Sequence, residues 1–249
     1  AYDSKSKFLA AAGHDLMQPF NAASLFASLI KEKAPNQELA EMSQNLIQSL
    51  ANAEELLSTL LDMTRLDSGI LNTNIQHFKL SDLLTPLVNE FKILAERKGL
   101  TLKYVANSCF IQSDKKLLRR ILQNLISNAV RYTESGKILI VAKRRNRRLK
   151  IRVYDTGRGI ATDQQKAIFE EFNQLDQHNN SQGLGLGLTI VERFSALLNH
   201  AVEVKSAVNQ GSCFEITVLR GLAVSNTNSK QSYLIADSAV LLKDKVVVI

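Results

Sequence analysis

Two cysteines in 249 residues, no apolar run close to the roughly 20 that cross a bilayer, and fewer acids than bases set the first limits. Cys109 and Cys213 are too few for a disulfide framework and have no metal-ligand spacing. Both sit in strand-like contexts, where buried free thiols in a reducing compartment are expected. The missing apolar run excludes a membrane-spanning helix within this sequence, and the first residues lack the basic and apolar regions of a secretory signal. A cytoplasmic setting is therefore expected, with any membrane anchor of the parent protein outside this chain. Thirty-one Lys and Arg against 24 Asp and Glu leave a formal charge of +7. Five of those cations fall in "KRRNRR", residues 143 to 148. No helix-turn-helix, zinc finger or aromatic-interleaved basic strand accompanies them, so a solvated hairpin tip is expected and no nucleic-acid partner.

What remains is an ordinary globular composition, 45% apolar and 22% charged, in a chain long enough for one large domain or two modest ones. Residues 3 to 33 and 37 to 67 read as two long helices broken at Pro35 and Asn36. Apolar residues recur at Phe8, Ala12, Leu16, Ala23, Phe26 and Ile30 in the first. In the second, Leu39, Leu46, Ala53 and Leu60 repeat every seven residues, beside Leu50 and Leu57. A lone hairpin would leave much of this surface wet, so two copies forming a four-helix bundle are expected, a homodimer.

The character changes after "LDSGILNTN". Strand-like "IQHFKL" precedes a helix from Ser81 to Lys98; "LTLKYV" and "CFIQ" are short strands; a strong helix runs from Asp114 to Tyr132. "GKILIVAKRR" and "RLKIRVYD" form a hairpin, another helix begins near Gly187, and "AVEVKSAV" and "GSCFEITVLR" close the set. Helices with a largely antiparallel sheet and no regular βαβ alternation predict an α+β class fold, the second part an α/β sandwich. The expected organisation is a helical hairpin over 1–70, a second domain over 75–220, and a polar linker over 221–249 that ends on the buried-strand signal "KVVVI".

Four stretches carry chemistry. In "GHDLMQP", helical geometry turns His14 roughly 160° from the packing stripe, with Gln18 one turn on and Asp15 beside it. An imidazole nitrogen can act as nucleophile, and a neighbouring carboxylate can orient it and take its proton. In "LQNLISNAVRYT", Asn124, Asn128 and Arg131 lie along one border of the stripe Leu117, Leu118, Ile121, Leu125 and Ala129. Carboxamide oxygens suit a Mg²⁺ that carries phosphates and waters, and an arginine binds phosphate oxygens. "DTGRGI" places Asp155 at a strand end, able to accept from an exocyclic amine, with Gly157 and Gly159 permitting a tight turn. "GLGLGL" sets Gly183, Gly185 and Gly187 before an apolar helix, an anion cradle of exposed amides that is neither a Walker loop nor a Rossmann turn. The intervening "DQHNNSQ" reads as a flap.

Their order makes the chain resemble the sensor histidine kinases of two-component signalling, across residues 3 to 220. "GHDLMQP" matches the H box, "LQNLISNAVRYT" the N box, "DTGRGI" the G1 box, "IFEEF" the F box and "GLGLGL" the G2 box. The resemblance implies a dimerisation and phosphoacceptor hairpin followed by an ATP-binding domain of the GHKL ATPase type. It implies ATP and Mg²⁺ as cofactors, with His14 phosphorylated and Asp15 its activating base. Asn128 would hold Mg²⁺, supported by Asn124, while Arg131 and Tyr132 would contact the nucleotide. Asp155 would select adenine, Gly157 and Gly159 would shape its pocket, and the three G2 glycines would wrap the phosphates. The partner implied is a receiver domain with an acceptor aspartate; "KVVVI" looks like the first strand of one. Gln18 departs from the Thr or Asn often found at its position, where it would orient water for dephosphorylation. A GHKL-type ATPase without histidine phosphotransfer and an inactive dimeric scaffold are the alternatives.

Overall fold

The computed structural model describes residues 19–34, 36–67, 71–105, 108–171, 173 and 186–223. His14, Asp15, Gln18, Gly183, Gly185 and the terminal "KVVVI" lie outside them.

Residues 19–32 are helical (α1), and Gln37–Asp67 forms α2. Asn36 starts α2 as the sequence predicts: its Oδ1 accepts from the Leu39 amide at 2.9 Å, satisfying a donor that the helix cannot. Lys31 Nζ donates to Gln44 Oε1 at 2.6 Å and ties the two helices together. Ala27 and Ser43 are buried between them. The opposite side is uncovered: Leu25, Phe26, Leu29, Ile30, Met42 and Leu46 are exposed, Phe26 to 64% and Met42 to 62%. Of the residues in the predicted stripes, Phe26, Ile30, Leu39, Leu46 and Leu60 are among those exposed.

The second part follows in the order β1 (Ile75–Lys79), α3 (Ser81–Arg97), β2 (Thr101–Tyr104), β3 (Phe110–Asp114), α4 (Lys115–Tyr132), β4 (Lys137–Arg145) and β5 (Arg148–Asp155). A short 3₁₀ turn (Ala167–Phe169), α5 (Gly187–Leu197), β6 (Ala201–Ser206) and β7 (Ser212–Arg220) complete it. The sheet runs β1-β3-β7-β5-β4-β2, with β6 also pairing β7. Every pairing is antiparallel except β2 with β4. Strict alternation decides which face is covered. Ile138, Ile140, Leu149, Ile151, Val153, Phe214, Ile216 and Val218 point inward and are buried, meeting the apolar faces of α3, α4 and α5 in one core. Across the other face, Lys150 and Arg152 both donate to Glu215, which is itself buried.

Asp114 links strand to helix. Its Oδ1 accepts from Lys116 N (2.8 Å) and Leu117 N (3.0 Å), capping α4, while Oδ2 accepts from Asn74 N (2.7 Å). β3 consequently extends to Asp114, two residues past the predicted "CFIQ". The buried face of α4 is also wider than predicted: Leu122 and Ile126 are fully buried and Leu117 only half-buried, because α3 and α5 pack on α4 in addition to the sheet. Cys109 is buried as expected, but Cys213 is half-buried, since it lies on the open face of β7. "KRRNRR" forms the β4–β5 hairpin tip, with Asn146 at φ 54° making the turn.

α2 reaches this second part. Met63 is buried in its core, and Arg120 of α4 extends to Thr59 Oγ1 at 3.2 Å and Asp62 Oδ2 at 3.5 Å.

Candidate nucleotide site

The C-terminal half of α4 meets the turn after β5. A methyl group added at Gly157 would lie 2.4 Å from the Tyr132 carbonyl oxygen and 3.0 Å from Asp155 Oδ1, so only glycine lets this turn close on the helix end. Gly159 sits at φ +70°, and a Cβ there would fall 1.9 Å from the Ala207 carbonyl. Together these glycines press the turn between α4 and the β6–β7 connection.

Asp155 is therefore held in place. Its Oδ1 accepts from Gly157 N at 2.9 Å and from Ser212 N at 3.2 Å. Burial pushes its carboxyl above the ordinary range, although those amides favour the charged form. An oriented, partly desolvated acceptor at a strand end can recognise an amine donor and disfavours an acceptor placed in the same position.

Two turns earlier on α4, Asn124 Nδ2 donates to Arg120 O at 2.9 Å, which leaves its oxygen facing the start of α5. A Cβ on Gly187 would stand 2.9 Å from that oxygen, so the first residue of α5 and the first carboxamide are neighbours. Asn128 lies one turn further along α4 and is half-buried. Tyr132, at 37% exposure, carries cations on its ring: Arg131 Cζ is 5.6 Å and Arg158 Cζ 4.9 Å from the centroid. Ile168 and Phe169 of "IFEEF" lie in the 3₁₀ turn, Ile168 buried, and Thr189 Oγ1 of α5 donates to Phe169 O at 3.0 Å.

Of the residues named from sequence, the structure brings Asp155, Gly157 and Gly159 together at the end of α4, where the Gly157 turn meets the Tyr132 carbonyl and Arg131 lies by the Tyr132 ring. Asn124 meets Gly187 two turns earlier on α4, and Asn128 lies between the two groups. Gly183, Gly185, His14, Asp15 and Gln18 are outside the described residues. Sequence reasoning missed Ser212, Gly211 and Arg158. Gly211 has φ +80°, and a Cβ there would lie 2.0 Å from Asp155 O. Its only signal was the "NQGS" turn between two strands, which does not say what the turn touches.

No group of three or more His, Cys, Asp or Glu capable of holding a metal occurs among the described residues. The half-buried Asn128 carboxamide offers a hard oxygen of the kind that suits Mg²⁺.

A family model described as "His Kinase A (phospho-acceptor) domain" matches residues 4–69. A second, "Histidine kinase-, DNA gyrase B-, and HSP90-like ATPase", matches residues 113–221. The chain belongs to the sensor histidine kinases. Among curated histidine kinases it is 30% identical to autoinducer 2 sensor kinase/phosphatase LuxQ of Vibrio vulnificus over 225 residues, 86% of this chain and 26% of LuxQ. Adaptive-response sensory kinase SasA of Crocosphaera subtropica is also 30% identical, over 86% of this chain and 59% of SasA. The crystal structure of full-length ShkA in complex with AMPPNP superposes with a TM-score of 0.72 at 29% identity, covering 88% of this chain and 47% of ShkA. The chain spans about a quarter of LuxQ and somewhat over half of SasA. The second histidine kinase module is an ATP-binding domain. No helix among the described residues is long and apolar enough to cross a membrane.

Proposed function

We propose that this chain binds ATP with Mg²⁺ in its second part, transfers the γ-phosphoryl group to His14, and yields that group to an aspartate on a receiver domain. The observation that carries the reading is the seating of the Asp155–Gly157 turn on the end of α4, with Asn124 set against the first residue of α5. These two contacts set both the β5 turn and the start of α5 against α4, which supports the reading, in a chain that also carries "GHDLMQP".

In the proposed reaction a ring nitrogen of His14 attacks the γ-phosphorus. The bond from that phosphorus to the bridging oxygen breaks, and ADP leaves with its electron pair. The imidazole proton passes to Asp15. Asp155 accepts from the adenine amine, Gly157 and Gly159 bring the backbone beside the base, and Arg131 and Tyr132 orient the nucleotide. Gly183, Gly185 and Gly187 lay backbone amides along the phosphates. Asn128, supported by Asn124, would hold Mg²⁺, which when bound neutralises charge on the transferring phosphoryl group. Rate enhancement then comes from position and charge neutralisation, with little covalent work asked of the protein. Gln18 orients water against the phosphorylated receiver through a longer arm than Thr or Asn would give.

Two hairpins burying the uncovered stripe of Phe26, Ile30, Met42 and Leu46 make the homodimer. The expected domains are 1–70 and 75–220, with 221–249 leading into a receiver; the setting is the cytoplasm.

The reading is tested by titrating the chain with ATP and with GTP in the presence of Mg²⁺, then with the Asn128→Ala variant. Saturable, ATP-selective binding that weakens sharply in the variant supports it. Equal affinity for both nucleotides, or none for either, rejects it.

A further inference from the structure

The end of α4 bears Arg131 and Tyr132, yet it lacks the usual means of closing a helix. Its C-cap, Thr133, is extended at φ −100° and ψ 115°, with no left-handed glycine to bring amides back onto the last carbonyls. Four carbonyls therefore need other partners. Ala129 O accepts from Thr133 Oγ1 at 2.7 Å. Tyr132 O faces the Gly157 turn. The two between them, Val130 O and Arg131 O, both accept from Lys98 Nζ, at 2.9 and 2.7 Å.

Lys98 comes from another element, and its backbone is fixed by local geometry. It ends α3, its amide donating to Ala95 O at 3.0 Å. Gly99 follows at φ +74°, and Leu100 N returns to Ala95 O at 2.8 Å. The ammonium is thus delivered from an anchored turn onto the negative end of the α4 dipole, where a cation is favoured.

We infer that Lys98 is a positioning residue for the nucleotide site: it fixes the final turn of α4 so that Tyr132, with Arg131 by its ring, stands against the Gly157 turn. The inference rests on the nucleotide reading above and adds to it a residue that acts through the backbone of α4. Losing the ammonium frees two carbonyls and lets the last turn unwind, so the cost falls on nucleotide binding. Chemistry at saturating ATP is spared, because Asn128 lies a full turn earlier on the helix.

The experiment measures ATP affinity and the autophosphorylation rate at saturating ATP for the full chain, Lys98→Met, Lys98→Arg and Lys98→Gln, with thermal melting of each. Methionine keeps the stem and removes the donors; arginine keeps the donors. Lys98→Met should weaken ATP binding about 10-fold, as loss of a charge-assisted helix-end contact implies, and leave the saturated rate within about 2-fold. Lys98→Arg should recover most of the affinity, and Lys98→Gln, with neutral donors, should fall between. Unchanged affinity in Lys98→Met, or equal loss in the methionine and arginine variants, overturns the inference. If Lys98→Met fails to fold, the order of the arginine and glutamine variants decides in the same way. Should the unaltered chain not bind ATP at all, the nucleotide reading itself falls, an outcome separate from any effect at Lys98.

Discussion

Gly157→Ala puts the site geometry to a quantitative test. Gly157 does not occupy the left-handed region, so alanine meets no backbone penalty; the obstacle is space alone. Its Cβ would start 2.4 Å from the Tyr132 carbonyl oxygen, whereas ordinary contact begins at 3.4 Å. The turn and the end of α4 must therefore separate by about 1 Å, since the Tyr132 carbonyl is backbone and cannot rotate away. Overpacking of this kind costs about 1–3 kcal/mol, against a gain of about 0.4–1 kcal/mol from the stiffer unfolded chain. The net effect, from about zero to about 2.6 kcal/mol of loss, lowers the melting temperature by up to roughly 10 °C for a domain of this size. Function should suffer more, because a displacement near 1 Å in a positioned site can cost on the order of 100-fold. Calorimetric titration with ATP beside a thermal melt separates the two effects. A variant that binds ATP as tightly as the parent would refute the close seating of the turn on α4, whatever its melting temperature.

Three further outcomes follow from particular contacts. Gly187→Ala should hold or raise the melting temperature, because alanine is the better helix residue by about 1 kcal/mol, while pushing the Asn124 oxygen from its 2.9 Å position and lowering ATP affinity; a variant that loses stability and keeps affinity contradicts the arrangement. His200 is buried with Ser113 Oγ 2.8 Å from its Nε2, and burial lowers its pKa below 6.5. The unfolded chain therefore takes up the proton first as pH falls; the stability is full above about pH 6.5 and is lost below it, and urea denaturation of His200→Gln against the parent between pH 7.5 and 5 should show that slope shrink. Glu215→Ala should cost about 1–2 kcal/mol in the same assay by taking the carboxylate from Lys150 and Arg152, the latter keeping only its Tyr154 hydroxyl contact, and a neutral result would show that water already serves those cations.

Much of this was readable in the sequence, for reasons that are local. The Asn36 cap, the α4 stripe and the alternation in β4 and β5 depend on neighbours within a few residues, so the pattern carries them. What was not readable depends on distant partners. Nothing in "GSCFEITVLR" says that β7 will enter between β3 and β5, yet that placement brings Ser212 N to Asp155. Leu122 and Ile126 looked peripheral to the stripe because α3 and α5 cover them from other directions. Lys98 and the carbonyls it serves lie 32 and 33 positions apart, and a lysine before a glycine is in sequence no more than a helix end. Within the site, the same division holds. Glycines and carboxamides announce their chemistry by type and spacing; the contacts that hold them in place come from the fold.

The central claim is that a phosphoryl group leaves ATP and becomes attached to His14. Incubating the chain with γ-labelled ATP and Mg²⁺, then mapping the modified peptide by mass spectrometry under alkaline conditions, tests it most directly. Acid-labile, alkali-stable label is expected on the peptide containing "GHDLMQP", absent in His14→Gln although that variant still binds ATP. Label on any other residue, or label retained by His14→Gln, would contradict it.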